Sequence, residues 1–479
     1  MTTGADRHAP LPPTLFVLFG STGDLAARMV LPAFYQLFTA GLLPEHWALV
    51  GNGRHALSDD QFRTHTRDAI TEHDQAPDDD TWREFVRHVR YAGRGFTPDD
   101  PGELLDVLAE VRRVMAEGGS REPAALVHYL ALPPVTFADY TRALGAHGLA
   151  EGARVVYEKP FGTSRRTFEE LDVAVHDVLD EQQVYRIDHF LGKENVQNLH
   201  VLRFANGLFE GVWNAEHVAQ VQIDVPETLD IDNRARFYDA TGAVLAMLVT
   251  HLFQVAAEVA LEPPPTLGAD DLQTARESVI AAFRPLAPGD VVLGQYDGYR
   301  AVDGVADDST TDTFVAARLW VDTDRWRGVP FLLRTGKRMG VSKQWVSLVF
   351  RAADGPIAGV PPDGTVLSFD LQGNGAIDLA MTVKEPGPGS ELGVGHTTLP
   401  LQTVPHAAPL APYARLLLDV LHGDRSLFTR PDGLAHVWAV AGPLLDDPPA
   451  VQPYAPGSMG PQAAQRLPGE FGWLIGGAE

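Results

Sequence analysis

The sequence predicts a chain in two parts: a doubly wound α/β domain, then a larger α+β domain built on a mainly antiparallel sheet. In the first part short apolar strands alternate with helices, an order typical of parallel sheets. In the second part strand-like runs follow one another without helices between them, which is typical of antiparallel sheets. We therefore expect domains over 1–187 and 188–479, with a loose, proline-containing tail at 1–13.

The individual elements follow from apolar periodicity and from glycine and proline punctuation. In the first domain we expect strands at 15–19, 47–51, 126–130 and 154–157, helices at 25–38, 104–116 and 167–179, and a polar helical stretch at 58–88 with an acidic break at 78–80. In the second domain we expect helices at 196–204, 242–260, 413–421 and 434–445, an alternating strand at 218–225, and further strands at 313–320, 329–334, 346–351, 366–371 and 377–383. The proline- and glycine-rich end from 448 onward is expected to wrap the surface.

Composition limits the classes of function. With 479 residues, 45% apolar and 21% charged, the chain is of ordinary globular type. A net charge of −25 argues against nucleic acid and anionic membranes as partners. No apolar run looks long enough to span a bilayer, and no signal pattern precedes the first strand. The absence of Cys excludes disulfides and thiolate metal sites, so we expect a cytoplasmic protein without a bound metal.

A glycine turn after the first strand is the first candidate site. Strand, glycine turn and helix form the context in which backbone amides and the helix dipole hold a dinucleotide pyrophosphate. The glycine fingerprint is only partial, since Leu18 stands at its first position. The cofactor-binding residues predicted here are Gly20, Thr22, Gly23, Asp24 and Leu25.

The end of the second strand bears on the choice of cofactor. Enzymes that use NAD usually carry an acidic residue there for the ribose hydroxyls. This chain has Gly-Asn-Gly-Arg at 51–54, so Arg54 favours the 2′-phosphate of NADP. Pro133, in the turn after the third predicted strand, is a plausible wall beside the nicotinamide.

The stretch Arg-Ile-Asp-His-Phe-Leu-Gly-Lys-Glu at 186–194 concentrates chemistry in a few residues. Asp188, His189 and Lys193 can bracket a small anion, and Gly192 lets backbone approach it closely. A carboxylate of this kind also suits the task of holding a histidine base in one tautomer. The alternative is a solvated turn after a helix, because charged residues usually face water.

Lysine is rare, which makes its positions informative. There are five lysines, at 159, 193, 337, 343 and 384, and arginine supplies the other 33 of the 38 basic residues. Codon bias with random survivors is one explanation. The other is that a compact ammonium is needed at Lys159, Lys193 and Lys337, where a planar guanidinium does not fit.

Four motifs in order give a specific resemblance. Gly-x-x-Gly-Asp-Leu-Ala at 20–26, Glu-Lys-Pro-Phe-Gly at 158–162, the 186–194 stretch and Arg-Thr-Gly-Lys at 334–337 resemble those of glucose-6-phosphate dehydrogenases. The resemblance implies an N-terminal Rossmann dinucleotide-binding domain and a larger C-terminal domain that binds substrate and mediates a homodimer or homotetramer. It also implies NADP-dependent oxidation of C1 of glucose 6-phosphate to the lactone.

The resemblance assigns roles residue by residue. His251 matches the general base and Asp188 the carboxylate that orients it. His189 and Lys193 match the ligands of the substrate phosphate. Lys159 matches a lysine between substrate and nicotinamide, Glu227 and Lys337 match sugar-hydroxyl contacts, and Arg54 matches the 2′-phosphate contact. From the residues alone, His251 could equally be a core histidine on the apolar face of its helix.

Three positions depart from the family pattern. Ala246 stands where an aspartate usually contacts a sugar hydroxyl, and Ser342 where a basic residue usually approaches the sugar. Lys343 is one residue further on and, in a strand, would point to the opposite face. Phe190 lacks the hydroxyl of the more common tyrosine. Three hypotheses therefore stay open: a glucose-6-phosphate dehydrogenase, the same chemistry on another sugar phosphate or modified sugar, and a catalytically idle regulatory paralogue.

Overall fold

The computed structural model describes residues 10–231, 234–361, 364–373 and 375–476. Residues 1–9 of the expected loose tail lie outside the described residues. The chain forms two compact units, the first from 1–192, 265–273 and 410–431, the second from 193–264, 274–409 and 432–479. The contiguous segments 1–187 and 188–479 do not describe this division, because two later stretches return to the first unit.

The strands are β1 Thr14–Phe19, β2 Trp47–Asn52, β3 Val89–Ala92, β4 Ala125–Leu130, β5 Arg154–Tyr157, β6 Val184–Ile187, β7 Val218–Pro226, β8 Val291–Tyr296, β9 Phe314–Trp320, β10 Pro330–Gly336, β11 Trp345–Phe350, β12 Val366–Asp370, β13 Ala376–Lys384, β14 Leu392–Pro400, β15 Phe428–Thr429 and β16 Gln452–Tyr454. The helices are α1 Leu31–Thr39, α2 Asp59–His73, α3 Asp79–Phe85, α4 Leu104–Glu117, α5 Phe137–Ala146, α6 Arg165–His176, α7 Glu194–Ala205, α8 Gly207–Glu210, α9 Ala235–Ala243, α10 Phe253–Ala260, α11 Ala269–Ala281, α12 Pro412–His422 and α13 Pro431–Asp446. Two stretches are π-helical, Ala26–Val30 and Val244–Leu252.

The first unit contains a seven-stranded sheet in the order β15-β6-β5-β4-β1-β2-β3. Strands β1 to β6 are parallel, and β15 runs antiparallel to β6. All six residues of β1 are buried, as expected of a strand covered on both faces. This confirms the predicted Rossmann-type fold and brings the carboxyl ends of β1, β2, β4 and β5 to one edge of the sheet.

The acidic run at 78–80 does not only break a helix; it also starts one. Asp78 lies before α3, and its carboxylate accepts hydrogen bonds from the backbone N–H groups of Asp80 and Thr81. The preceding helix α2 begins with Ser58 and Gln61 in a reciprocal capping box. The predicted polar stretch 58–88 is therefore two capped helices.

The second unit contains a nine-stranded sheet in the order β14-β13-β12-β11-β7-β10-β9-β8-β16. Most pairs are antiparallel, while β7 with β10 and β8 with β16 are parallel. The mainly antiparallel sheet is thus confirmed. Strand β7 was expected to alternate, but all nine of its residues are buried, because this sheet is covered on both faces there. Strands β8 and β14 were not predicted, and β16 lies in the segment expected only to wrap the surface.

The predicted helix 242–260 is not a simple α-helix. Gly242 has φ 62° and ψ 179°, which kinks the chain, and the π-helical stretch Val244–Leu252 then leads into α10. By length and hydropathy the whole stretch Ala235–Ala260 could cross a bilayer, contrary to the expectation from sequence. However, 78% of its most apolar window is buried inside the protein, as in a core helix.

Candidate functional site

The glycine turn after β1 is held by the end of β2. The Asn52 carbonyl accepts hydrogen bonds from the Gly20 N–H at 3.0 Å and from the Ser21 N–H and hydroxyl at 3.2 Å. Gly20 has φ 72°, and a Cβ there would lie 2.3 Å from the Ala131 carbonyl oxygen. Glycine is therefore required at this position by both conformation and space.

The helix that follows fits a pyrophosphate. Thr22, Gly23 and Asp24 are exposed at its start, where N–H groups have no partner within the helix. Leu25 is half-buried, and Leu18, which replaces the first fingerprint glycine, is fully buried in β1. The Gly23 N–H donates to the Gly20 carbonyl at 2.9 Å, which closes the turn. The exposed start of the helix and the positive end of its dipole suit a dinucleotide pyrophosphate.

Arg54 and Pro133 lie just beyond the carboxyl ends of β2 and β4. Arg54 is exposed, and its guanidinium forms no ion pair with any residue the structure describes. It lies near enough to Tyr140 to oppose the rise in the pKa of that phenol that burial causes. Pro133 is exposed at the start of a short 3₁₀ turn. An exposed guanidinium at this sheet edge can bind a phosphate group.

A lysine and a histidine meet in the first unit. Lys159 follows β5, His189 follows the neighbouring strand β6, and the Lys159 Nζ lies 2.9 Å from the His189 Nδ1. An ammonium can only donate, so His189 accepts at Nδ1 and carries its proton on Nε2. The arrangement places an ammonium and an imidazole N–H donor in one half-buried location.

Buried side chains lie next to Lys159 and His189. Tyr129 donates from its hydroxyl to Glu158 at 2.5 Å, and Tyr413 also hydrogen-bonds Glu158. Burial raises the pKa of the Glu158 carboxyl, while the two tyrosines and Lys159 oppose that rise. The ring of Tyr413 stacks on His189 with centroids 6.0 Å apart. Tyr413 comes from α12, which no local pattern links to this motif.

Asp188 and Phe190 are both buried, at 2% exposure each. The Asp188 carboxylate accepts the Phe190 N–H at 2.9 Å, which fixes the turn after β6. A Cβ at Gly192 would lie 2.7 Å from the Pro412 carbonyl, so this glycine admits the backbone of α12. The approach of the Gly192 backbone to a ligand stays a prediction.

Lys193 stands at the amino end of α7 in the second unit. Its Nζ donates to the Gln344 side-chain oxygen at 2.8 Å and to the Leu371 carbonyl at 2.9 Å. These two contacts place the ammonium in a half-buried location. Such a cation suits an anionic ligand.

Glu227 and Lys337 form an ion pair elsewhere in the second unit. Glu227 follows β7, Lys337 follows the parallel neighbour β10, and their charged atoms are 2.6 Å apart. The Glu227 N–H donates to the Gly336 carbonyl at 3.0 Å, which ties the two strand ends together. The pair offers an acceptor and a donor side by side, as a vicinal pair of hydroxyls requires.

His251 lies near the end of the π-helical stretch and is 1% exposed. The Thr250 hydroxyl donates to the Leu245 carbonyl five residues earlier, at 2.5 Å, in keeping with the widened helix. π-Helical turns occur frequently at functional sites. His251 belongs to the second unit and Asp188 to the first.

Two residues that depart from the family pattern, Ala246 and Ser342, lie in different environments. Ala246 packs against an apolar cluster that includes Tyr238 and Leu332. Ser342 and Lys343 are exposed and precede β11, which begins only at Trp345. The alternation argument for Lys343 was therefore wrong, because neither residue is in a strand. The Lys343 ammonium lies 4.6 Å from the Trp345 ring centroid.

Two arginines of the motifs are structural. Arg186 is buried and pairs with Asp172 at 3.0 Å and with Glu181 at 2.9 Å. Arg334 is fully buried in a two-pronged pair with Asp224 and stacks over Trp473. Each guanidinium group binds a carboxylate of the same unit. The two arginines therefore stabilise β6 and β10, the strands that precede His189 and Lys337.

Sequence reasoning missed the neighbours of the site residues. Gln344 lies 151 residues from Lys193, and Tyr413 returns to the first unit from far along the chain. Asn52 was read only as a non-acidic residue, although its carbonyl holds the glycine turn. Every residue type supplies a backbone carbonyl, so Asn52 carried no signal for this contact, and neither did Gln344 or Tyr413.

Comparisons with known proteins agree over nearly the whole chain. The NAD-binding domain of glucose-6-phosphate dehydrogenase matches residues 17–198, and the C-terminal domain of the same enzyme matches residues 200–473. Glucose-6-phosphate 1-dehydrogenase of Mycolicibacterium smegmatis is 38% identical over 96% of this chain and 96% of its own.

Two solved structures are similar as well. A glucose-6-phosphate dehydrogenase in complex with glucose 6-phosphate is 29% identical with a TM-score of 0.89, covering 99% of this chain and all of its own. The glucose-6-phosphate 1-dehydrogenase of Mycobacterium avium is 34% identical with a TM-score of 0.83, covering 98% of this chain and all of its own. This chain therefore belongs to the glucose-6-phosphate dehydrogenase family of oxidoreductases.

Proposed function

We propose that this protein oxidises C1 of glucose 6-phosphate to 6-phosphogluconolactone and passes the hydride to NADP. The observation that carries the proposal is the contact between Lys159 and His189 at the ends of neighbouring strands. It sets two donors for an oxyanion side by side at the edge of a dinucleotide-binding sheet. Family membership supports the same reaction.

In this proposal the substrate phosphate is bound by His189 and Lys193. His189 offers its Nε2 proton, since its Nδ1 is engaged by Lys159. Lys193 offers an ammonium that is held by the Gln344 side-chain oxygen and the Leu371 carbonyl. Lys159 lies between substrate and nicotinamide, and Glu227 with Lys337 reads sugar hydroxyls. A hydrogen bond to a charged group stabilises binding by about 1.5–3 kcal/mol.

His251 is the proposed general base, which removes the proton of the C1 hydroxyl as the hydride leaves. Asp188 is the proposed carboxylate that fixes its tautomer and stabilises the imidazolium. Each is almost fully buried, so water competes little for the proton. The alternative, that His251 is only a histidine of the core, explains why it is buried. It does not explain the π-helical geometry of the segment.

The nicotinamide cofactor accepts the hydride when it is bound. We propose that the glycine turn and the start of the helix at 22–25 hold its pyrophosphate and that Pro133 lies beside the nicotinamide. Arg54 at the end of β2 is proposed to bind the 2′-phosphate, so that NADP is preferred to NAD. A cytoplasmic location, as expected from sequence, accords with this use of NADP.

A second candidate is the same chemistry on another sugar phosphate or a modified sugar. It is favoured by Ala246, which packs against an apolar cluster where the family carries an aspartate. If the pocket has changed in this way, Ala246→Asp with Ser342→Arg raises kcat/KM for glucose 6-phosphate and lowers it for the natural sugar. A wild-type enzyme already efficient on glucose 6-phosphate, and indifferent to both changes, excludes this candidate.

We also propose a homodimer or homotetramer formed through the β14 end of the second sheet. Apolar side chains on β13 and β14 are exposed there, among them Met381 at 42%, Val383 at 45% and Leu399 at 50%. A row of exposed apolar side chains at a sheet edge is typical of an interaction surface. Light scattering of the wild type and of Met381→Glu tests this: the variant should dissociate, and a monomeric wild type excludes it.

His251→Asn tests the chemistry. The change keeps the size of the side chain but removes the base, so kcat should fall about 10²- to 10⁴-fold while cofactor and substrate affinities stay nearly constant. Reduced nicotinamide is followed by its absorbance, with circular dichroism as a check on folding. Wild-type turnover by His251→Asn removes this residue from the mechanism.

A further inference from the structure

A carboxylate lies at the start of the helical segment that carries His251. Asp312, just before β9, accepts the Val244 N–H on its Oδ2 at 2.7 Å. The Asp312 backbone carbonyl accepts the Ala243 N–H at 2.8 Å. One residue thus engages the first two amides after the kink, as a capping acceptor does at a helix amino end.

The kink at Gly242 lies in close contact with the Asp312 carboxylate. Gly242 has φ 62°, and a Cβ there would lie 2.6 Å from the Asp312 Oδ1 and 2.9 Å from its carboxyl carbon. Conformation and space therefore both demand glycine. The carboxylate packs directly against the backbone where α9 ends and the π-helical segment begins.

Asp312 is itself held firmly by α9. The Thr311 hydroxyl donates to the Asp239 carbonyl at 2.6 Å, and the Ser309 hydroxyl donates to the Asp239 carboxylate at 2.5 Å. Tyr299 donates to the same carboxylate at 3.0 Å. The loop before β9 is therefore pinned to α9, and Asp312 transfers that position to Val244.

Where this segment starts determines where His251 lies. Val244 and His251 are joined by continuous π-helical turns, so a shift at Val244 is carried along the segment. A π-helix returning to α-helical hydrogen bonding would rotate every later side chain about the axis. Misplacement of a reacting group by about 1 Å can lower a rate about 10²-fold.

We propose that Asp312 is a positioning residue for the reaction: its carboxylate fixes the start of the 244–252 segment and thereby the location of His251. The proposal rests on the proposed function of His251 as the base. The family resemblance assigned no role to Asp312. It acts through Val244 and need not touch substrate.

Two substitutions separate positioning from folding. Asp312→Ala removes the acceptor, so kcat should fall about 10- to 100-fold, with KM for both substrates unchanged. Asp312→Asn keeps an acceptor oxygen and should hold kcat within about 3-fold of the wild type, since amides also cap helices. Asp308→Ala, which removes an exposed carboxylate from the same loop, is the matched control. Measurements well below the melting temperature exclude loss of folded protein as the cause.

Hydrogen exchange gives a readout independent of activity. In Asp312→Ala the Val244 amide should exchange about tenfold faster, the order of a lost capping bond, and in Asp312→Asn it should not. Wild-type kcat together with wild-type exchange in Asp312→Ala overturns the proposal. A lower melting temperature with unchanged kcat reduces Asp312 to a structural cap and also overturns it. A wild-type protein inactive on all sugars defeats the proposed function instead, and exchange alone then decides whether Asp312 holds the segment.

Discussion

Two lysines, each of which follows a parallel strand, differ in the side chain that their ammonium group contacts. Lys159 in the first unit lies against the imidazole of His189, at 2.9 Å. Lys337 in the second unit lies against the carboxylate of Glu227, at 2.6 Å. The first contact joins an ammonium to a neutral imidazole, with the Glu158 carboxyl also near Lys159, whereas the second joins an ammonium to a carboxylate.

The difference bears on what each location can recognise. An ammonium beside an imidazole N–H favours a ligand with negative charge, because both groups donate. A half-buried ion pair is close to neutral as a whole and suits hydroxyls, which both donate and accept. We therefore expect charge recognition to depend on His189 and hydroxyl recognition to depend on Glu227 and Lys337.

The largest effect is expected from His189→Ala. It removes one charge-assisted hydrogen bond, so kcat/KM for glucose 6-phosphate should fall about 10- to 150-fold. The rate with free glucose should stay nearly constant. Steady-state kinetics on both sugars measures this, with the exposed His436→Ala as control. Equal losses on both sugars would mean that His189 does not read the phosphate.

Arg54→Ala should have the next largest effect. Because Arg54 is exposed, we expect the lower end of the charge-assisted range, about a tenfold rise in Kd for NADP. Affinity for NAD should not change, as NAD has no 2′-phosphate. Fluorescence titration with both cofactors measures it. A wild type that prefers NAD contradicts the assignment.

The pair in the second unit should show smaller losses that do not depend on charge. Glu227→Gln and Lys337→Met should each lower kcat/KM about 3- to 10-fold, and by the same factor for phosphorylated and free glucose. The double substitution should cost less than the sum of the single changes, since each single change leaves one charge unpaired. Additive losses, or losses confined to the phosphorylated sugar, would contradict the claim that Glu227 and Lys337 recognise hydroxyls while His189 recognises the phosphate.

The smallest expected effect is the dependence of folding stability on pH through the Asp312 carboxyl. Burial raises the pKa of the Asp312 carboxyl to about 7, and its backbone donors only partly oppose this rise. Tyr238 and Tyr299 also face it, and Asp239 lies nearby on α9. The folded protein therefore keeps a proton that the unfolded chain has already lost, and stability falls as pH rises from about 4 to about 7.

Asp312→Asn removes that dependence. Its melting temperature should exceed that of the wild type by about 2 °C or more at pH 8 and match it near pH 4.5. Differential scanning calorimetry of both proteins, with Asp308→Asn as the exposed control, measures the difference. A gain of the same size at both pH values would assign the effect to packing.

Sequence reasoning located strands and helices where the apolar pattern is local. It predicted the strand before Lys159 but not β6, so the pairing of neighbouring strands that brings Lys159 and His189 together was found only in the structure. The structure confirmed the first sheet and the mainly antiparallel second one. Apolar periodicity also located the helix that carries His251.

What the sequence did not reveal depends on distant contacts. The π-helical segment that contains His251 starts where Asp312 contacts Gly242 and Val244, and no periodicity indicates that contact. Lys193 and Gln344 are 151 residues apart and meet only through the tertiary fold. Strand β14 is largely exposed and β16 is three residues long, so neither has the apolar run that marks a strand. Residues 410–431 return to the first unit by tertiary packing alone.

The most direct test of the account is the ratio of kcat/KM for glucose 6-phosphate to that for glucose, measured with NADP on the wild-type protein. Two phosphate contacts, His189 and Lys193, should make this ratio at least about 10², the product of two charge-assisted bonds at the low end of their range. NADP reduction that is equally fast with both sugars, or absent with glucose 6-phosphate, would contradict the claim that this protein is a sugar-phosphate dehydrogenase.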